Sequence, residues 1–180
     1  MPTIASPESI LAFWREAGPE KWYKKDAAFD EDIRTRFLPT YEAATAGKLS
    51  EWERTSEGAL ALLITLDQFP RNMFRGSART FAADPLALEI AGRAIAQGFD
   101  LHFPNERTFF YLPFEHSEQL ADQERCIALS RAAGADALKW AEMHADIIRK
   151  FGRFPHRNAI LGRAMTADEQ AFLDSGGFAG

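Results

Sequence analysis

Two short motifs in the sequence nearly repeat each other and place arginine and asparagine after a Phe-Pro pair. The first motif is Phe69–Asn72, with the sequence Phe-Pro-Arg-Asn, and the second motif is Phe154–Asn158, with the sequence Phe-Pro-His-Arg-Asn. Proline disfavours helix at the residue before it, so each motif marks a helix junction. A guanidinium group matches the geometry of carboxylate and phosphate. The two motifs therefore predict a basic pocket that binds a small anion or the carboxylate of a peptide.

The predicted ligand-binding residues come from both motifs and their flanks. Arginine side chains would contact the anion, and the two asparagines would add hydrogen bonds. This interpretation requires the two motifs to reach a shared cleft. The full set is Asp67, Arg71, Asn72, Arg75, Arg153, His156, Arg157 and Asn158.

A second group of residues could perform acid–base chemistry. His116 lies between Glu115 and Glu118, shortly after Pro113. Imidazole titrates near neutral pH, which suits a general acid or base. The alternative function is therefore an enzyme of hydrolytic or proton-transfer type. In it His116 would transfer the proton, Glu115 or Glu118 would orient it, and the arginines would stabilise negative charge.

A third hypothesis gives the same charges a purely structural role. No acidic residue occurs between Asp146 and Asp168, whereas five arginine and lysine residues do, and other stretches are acidic. Complementary stretches can neutralise one another, and ion-pair networks perturb charged groups without any catalysis. Asp67 stands at the end of an apolar helical segment and needs a cationic partner, for which Arg71 and Arg75 are nearest in sequence.

The remaining polar groups predict no further chemistry. Neither His-x-x-x-His nor Glu-x-x-His spacing occurs, so we expect no metal site, and without a Gly-rich phosphate loop we expect no cofactor. His144 lies on the apolar stripe of a predicted helix and is expected in the core. Cys126 has no adjacent histidine or lysine to lower its pKa, so we do not predict a nucleophile there.

Composition limits the partners and the location. The net charge of −5 argues against non-specific binding to nucleic acid or to an anionic membrane. The longest apolar run, Ala59–Leu66, is shorter than the roughly 20 residues of a membrane span. The start of the chain lacks a basic signal region, so we expect a cytoplasmic protein. The sequence does not decide whether the protein forms a homodimer. Trp14, Trp22 and Tyr23 are candidates either for a dimer interface or for the core.

All the secondary-structure elements predicted from the sequence are helices. No stretch alternates with the period of a strand, and the length of 180 residues suits one domain, residues 1–180. The stretch Gly58–Leu66 is apolar on all sides and predicts a buried central helix. Residues of about 115–133 and 135–151 predict two more helices. We expect an all-α fold of about eight or nine helices, packed as antiparallel pairs. Predicted helix starts are Ser6, Asp30, Ser50, Asp84 and Thr166.

Three segments, in order, resemble the domain-of-unknown-function 924 family of bacterial proteins. They are 67–76, which contains the first motif, Leu112–Glu118, and 151–163, which contains the second motif. The resemblance extends from about Ile10 to Phe172. It implies an all-α domain with a tetratricopeptide-like arrangement of helices. It implies no particular reaction, because the family has no established activity.

Overall fold

A computed structural model describes residues 3–180, and these residues confirm the predicted all-α fold, since they contain no β-strand. The α-helices are α1 (Pro7–Ala17), α2 (Pro19–Trp22), α3 (Ala27–Thr45), α4 (Ser56–Leu63), α5 (Phe69–Met73), α6 (Asp84–Ala96), α7 (Leu112–Glu115), α8 (Leu120–Ser130), α9 (Ala135–Phe151) and α10 (Ala167–Asp174). Short 3-10 helices lie at Ser50–Arg54, Ala78–Phe81, Phe99–His102, Arg107–Phe110 and Pro155–Arg157. A π-helical segment, Ile64–Gln68, joins α4 to α5. If α4, the π-helical segment and α5 are counted as one helix, the described residues contain nine helices, which agrees with the expected eight or nine.

The chain divides into two compact units. The first unit contains the described residues up to Arg75 together with Arg79–Pro113, and the second contains Gly76–Ala78 and Phe114–Gly180. In neither unit does a described helix have the length and apolar character needed to cross a bilayer. The single-domain organisation, the tetratricopeptide-like arrangement and the cytoplasmic location stay predictions.

Side-chain caps explain where several helices begin. The Ser6 hydroxyl accepts a hydrogen bond from the backbone N–H of Ser9 and starts α1, as predicted. The Thr166 hydroxyl accepts one from the N–H of Glu169, and the Glu169 carboxylate accepts one from the Thr166 N–H. This reciprocal pair is the predicted capping box of α10.

Two predicted helix starts are wrong. Asp30 lies in the first turn of α3, because Asp26 caps that helix through the N–H groups of the two residues after Ala27. Ser50 opens a 3-10 helix without a side-chain cap, and Thr55 caps α4 instead. At α3 an aspartate with equal capping capacity takes the position, and Asp30 is left to bind Asn72 and Arg75.

The helix predicted at about 115–133 is interrupted. It forms α7 and α8, with a non-helical turn between Glu115 and Leu120. The side-chain Nε2 of Gln123 donates to the carbonyl oxygens of Glu115 and Ser117 at 2.6 Å each, and Ser117 Oγ accepts from the N–H of Gln119. These bonds satisfy backbone groups that a continuous helix would otherwise pair, so the turn is stable.

The continuous run from α4 through α5 is the centre of the first unit. Every residue from Gly58 to Pro70 is buried, as predicted for the apolar stretch. The N–H of Phe69 donates to the carbonyl of Ile64, five residues back, which is the π-helical pattern. Pro70 then stands in the first turn of α5, where it has no N–H to donate to the preceding turn.

Aromatic rings pack around this run in the first unit. The ring of Phe69 lies 4.8 Å from that of Phe37 and 5.7 Å from that of Trp14, between centroids. Burial of such a ring stabilises the fold by about 1.5–3 kcal/mol. Trp14 is fully buried, which fits the core role, and Trp22 stacks on it, whereas Tyr23 is 65% exposed. The homodimer stays a prediction.

The second unit is built on the packing of α8 against α9. The buried face of α9 includes His144, which is 4% exposed, as predicted for a core histidine. The last turn of α9 and the second motif share an apolar cluster. Its buried members are Ile147, Ile148 and Phe154, and the partly buried Phe151, Phe172 and Phe178 pack against it.

Candidate functional site

Arg71 of the first motif lies between two aspartates of the first unit. Its Nη1 and Nη2 each donate to one carboxylate oxygen of Asp84 at 3.2 Å, and Nη1 lies 3.4 Å from Oδ1 of Asp67. Burial disfavours the charge on Arg71, but the two carboxylates outweigh this effect and raise its pKa. Asp67 is 1% exposed, so Arg71 supplies the cationic partner that its position requires.

The other polar groups of the first motif meet at Asp30. Arg75 donates from Nε and Nη2 to the two carboxylate oxygens of Asp30, at 2.9 and 3.0 Å. The Nδ2 of Asn72 donates to Oδ1 of the same carboxylate at 2.8 Å. The first motif is therefore an ion-pair junction that ties α5 to α3 and to the start of α6. Its guanidinium groups are bound by carboxylates of the chain itself.

Two arginines around the second motif are bound in the same way. Arg153 donates to both carboxylate oxygens of Glu169, at 2.6 and 2.8 Å. Arg163 donates to both oxygens of Glu118, at 2.7 and 3.0 Å, and the backbone N–H of Phe154 adds a third bond to Glu118 at 2.7 Å. Burial alone would raise the pKa of Glu118, but these donors lower it. Glu118 is thus a charged anchor for the second motif.

His156 differs from the paired groups around it. Its Nδ1 is buried and has no hydrogen-bond partner among residues 3–180. Burial lowers the pKa of His156 to about 4, and the charges of Arg157, His144 and His116 act in the same direction, while Glu118 opposes them. His156 is therefore neutral at physiological pH.

Asn158 is the second polar residue of this region with an unmet hydrogen bond. The side chain is fully buried, and its Oδ1 has no partner within the described part of the chain. Its Nδ2 donates to Sδ of Met165 at 3.4 Å, and the same amide stabilises the Glu169 carboxylate. A buried carbonyl oxygen without a donor costs about 1–3 kcal/mol. The two asparagines of the motifs thus differ, because Asn72 is bound to Asp30.

Four aromatic rings form a closed circuit in the second unit, which we call the four-ring cluster. Its members are His144, Phe154, His156 and Phe178. Adjacent ring centroids are 5.7 Å apart for His144–Phe154, 5.6 Å for Phe154–His156, 5.3 Å for His156–Phe178 and 4.6 Å for Phe178–His144. Arg157, which is 7% exposed, places its guanidinium carbon 4.5 Å from the centroid of Phe154.

Both carboxylates of the predicted acid–base site have partners in the second unit. Glu118 is bound by Arg163 and by the Phe154 N–H. Oε1 of Glu115 lies 3.4 Å from Nδ1 of His144, and that nitrogen also lies 2.9 Å from the Trp140 carbonyl. One carboxylate–imidazole contact thus involves His144, the residue expected only to fill the core, and the role of His116 stays a prediction.

Two open grooves lie in the second unit. One has a volume of about 520 Å³ and is lined by Lys150, Phe151, Phe172 and Phe178 among others. The other, of about 400 Å³, is lined by Arg153, Thr166 and Glu169 among others. Within residues 3–180, no group of three or more histidine, cysteine or acidic side chains could hold a metal ion.

Several residues of this region escape prediction from the sequence. Phe178 lies beyond the second motif and carries no polar group, and His144 resembles an ordinary core residue. Glu169 is predicted only as part of a capping box. The signal that could identify its second role is the local excess of arginine before it, which requires acidic partners from elsewhere in the chain.

The two motifs fall in different compact units, so the shared cleft stays a prediction. Within the second unit, the structure brings together His156, Arg157 and Asn158 with the ring of His144. In contrast, Arg153 belongs to the junction with Glu169. The second motif is therefore the place where predicted ligand-binding residues and unmet hydrogen bonds coincide.

Comparison with known proteins agrees with this architecture. The sequence model of the family described as "Bacterial protein of unknown function (DUF924)" matches residues 10–177. A solved structure of a protein of unknown function, ATU0120 from Agrobacterium tumefaciens, is 46% identical and superimposes with a TM-score of 0.92. The match covers 94% of this chain and 97% of that one. No curated protein matches the chain. On this match over most of its length, the chain belongs to the DUF924 family.

Proposed function

We propose that the protein is a binding module for a small anion, and that its ligand site lies in the second unit at the second motif. The observation that carries the proposal is the fully buried Oδ1 of Asn158, which has no hydrogen-bond partner among the described residues. The neighbouring Nδ1 of His156 is in the same condition. Buried polar groups are nearly always paired, so two orphans within three residues favour a ligand that supplies the missing bonds.

The charge around the motif favours an anion. Arg157, His144 and His116 oppose a positive charge on His156, while Glu118 favours it. An anionic group at this place would be attracted by the Arg157 guanidinium and would raise the pKa of His156. An anion that also carries a hydroxyl or N–H group would satisfy the acceptor Oδ1 of Asn158. The ligand class is therefore a small carboxylate or phosphate with a hydrogen-bond donor.

The proposal leaves out the arginines of the first motif. Arg71 binds Asp84, and Arg75 binds Asp30 together with Asn72. For a ligand to use these guanidinium groups, it would have to displace a carboxylate of the chain, and removal of one member of a buried ion pair costs about 3–5 kcal/mol. The first motif is better explained as scaffold, which agrees with the structural hypothesis for that half of the predicted site.

A pair of matched asparagine variants tests the proposal. Acetate, lactate and phosphate are screened by thermal shift against the wild-type protein, Asn158→Leu and Asn72→Leu. A ligand at 100 times its dissociation constant adds about 2.7 kcal/mol, which is about 5–10 °C for a chain of this size. We expect the shift to be lost in Asn158→Leu and kept in Asn72→Leu.

The stabilities of the two unliganded variants sharpen the test. Asn158→Leu removes a buried acceptor that has no donor, which is favourable, but it also removes the Nδ2 bonds to Met165 and Glu169, so we expect its melting temperature to fall by no more than that of Asn72→Leu. Asn72→Leu breaks the bond to Asp30 and should cost about 1–2 kcal/mol. The proposal is contradicted if the anion shift is the same in Asn158→Leu and the wild type, or if no anion gives a shift in either.

A further inference from the structure

Phe178 belongs to the four-ring cluster, but few backbone hydrogen bonds of its own segment fix its position. It follows α10, and backbone hydrogen bonds hold the connection only up to Gly177, whose N–H donates to the Phe172 carbonyl at 3.0 Å. Phe178–Gly180 make no backbone hydrogen bond to any residue of the described chain. The ring contacts with His144 and His156 and the packing on the apolar cluster therefore hold Phe178 in place.

The connection before Phe178 is built to turn sharply. Gly176 has a φ of 84°, a conformation that L side chains rarely adopt. A Cβ atom at Gly177 would lie 2.5 Å from the Phe172 carbonyl oxygen and 2.6 Å from an atom of the Phe172 ring. The two glycines thus direct residue 178 back towards α9, and a side chain at 177 would disturb that path.

Phe178 also lies between the two histidines of the four-ring cluster and an open groove. It lines the groove of about 520 Å³, together with Phe151 and Phe172. On its other side, it touches the two histidine rings edge to face. If the Phe178 ring left its position, the groove would lead directly to His144 and His156. The position of Phe178 is therefore a slot for a planar ring, bordered by two imidazoles and reachable from the surface.

We infer that the ligand of the second motif carries an aromatic ring beside its anionic group, and that Phe178 fills the place of that ring in the unliganded protein. The inference rests on the proposed function. Edge-to-face contacts favour an aromatic ring over a saturated ring of the same size. The anionic group would lie towards the Arg157 guanidinium, whose carbon is 4.5 Å from the centroid of the Phe154 ring in the same cluster. A small aromatic carboxylate has this chemistry.

The direct test compares probes that differ only in the ring. Benzoate, cyclohexanecarboxylate and acetate are titrated calorimetrically into the wild-type protein and into Phe178→Ala. Because the Phe178 ring competes for the slot, its removal should tighten benzoate binding on the order of tenfold. Cyclohexanecarboxylate should gain much less, and acetate should gain nothing. Equal benzoate affinity in the two proteins would overturn the inference.

Phe172→Ala is the matched control for the loss of a ring. Phe172 belongs to the same apolar cluster and packs on Phe151 at 5.2 Å, and its ring makes no contact with either histidine of the four-ring cluster. Its removal should leave benzoate affinity within about twofold of the wild type, because Phe178 still fills the slot. A tenfold gain in Phe172→Ala as well would mean that general loosening of the unit admits benzoate, and the slot would be refuted.

Gly177→Ala provides a second route to the same result without loss of the Phe178 ring. The added Cβ cannot coexist with the Phe172 carbonyl, so residue 178 must move. We expect benzoate affinity to rise as in Phe178→Ala, with NMR shifts of the His144 and His156 imidazole protons on benzoate addition. Absence of shifts at both histidines would place benzoate elsewhere and refute the slot.

The two proposals fail in different ways. If lactate binds and its binding is lost in Asn158→Leu, the anion site stands, even when benzoate gains nothing from Phe178→Ala and the slot is refuted. If benzoate gains from Phe178→Ala but Asn158→Leu binds lactate as the wild type does, the anion site at Asn158 is refuted. In that case the aromatic slot alone stands.

Discussion

Replacement of His156 with phenylalanine should remove much of the acid sensitivity of the fold. The pKa of His156 is about 4 in the folded protein, mainly through burial, whereas histidine in an unfolded chain titrates near 6.5. The unfolded chain therefore binds more protons between these values, so stability is complete above pH 6.5 and is lost as the pH falls towards 4. Linkage puts the loss at about 2 kcal/mol at pH 5.

The magnitude follows from what surrounds the ring. The rings of Phe154 and Phe178 contact the His156 ring. Arg157, His144 and His116 oppose its protonation, whereas Glu118 favours it. Phenylalanine keeps the ring packing and removes Nδ1, a buried atom that has no partner within residues 3–180. At pH 7 the variant should be as stable as the wild type or slightly more stable.

Urea unfolding of wild type, His156→Phe and His156→Gln at pH 7 and pH 5 measures this effect. The drop in unfolding free energy between the two pH values should be smaller by about 2 kcal/mol in both variants, which is about 4–8 °C in melting temperature. His156→Gln separates loss of titration from gain of packing. If both variants lose as much stability as the wild type, His156 protonates equally well in the folded and unfolded protein, and the account of its environment is refuted.

Two further predictions concern the first unit. Asp30→Ala should lower the free energy of unfolding by about 2–3 kcal/mol, because it leaves Arg75 and Asn72 without their carboxylate. Asp32→Ala on the same helix breaks an exposed ion pair and should lower it by less than about 0.5 kcal/mol. Equal losses for the two variants in urea unfolding would contradict this. Burial raises the pKa of Tyr111 to about 12, so the folded state holds a proton that the unfolded state releases near pH 10, and stability should fall as the pH rises from about 10 to 12. Tyr111→Phe should reduce the loss of stability between about pH 10 and 12, and an unchanged loss would contradict the raised pKa of Tyr111.

Local signals in the sequence are enough for most helix boundaries. Ser6 and the capping box at Thr166 act where they are predicted, because their partners lie three residues away. Gly152 ends α9 in the left-handed conformation, which a glycine stop predicts. Asp26 and Asp30 are equally good local candidates for the start of α3. The choice between them depends on Arg75, 45 residues beyond Asp30, and no local pattern contains that information.

The candidate site also depends on contacts between residues that are far apart in the sequence. The arginine-rich second motif predicts a cluster of charged groups around it, and the structure contains one. Its acidic partner Glu118 lies 45 residues before Arg163. The four-ring cluster joins His144 to Phe178 across 34 positions. Aromatic residues fill cores throughout this chain, so neither residue stands out until the fold places the rings side by side.

The π-helical segment before the first motif sets the rotation of the residues that follow it. A π turn holds one residue more than the α-helical turn that it replaces, so the helix accommodates an extra residue without turning the later residues out of place. If Ile64–Gln68 rewound as a regular α-helix with no residue lost, every residue after it would rotate by about 100° about the helix axis. Phe69 would turn away from Phe37, and Asn72 would turn away from Asp30. A family member that lacks one residue in this segment should therefore have a regular α-helix there and keep both contacts.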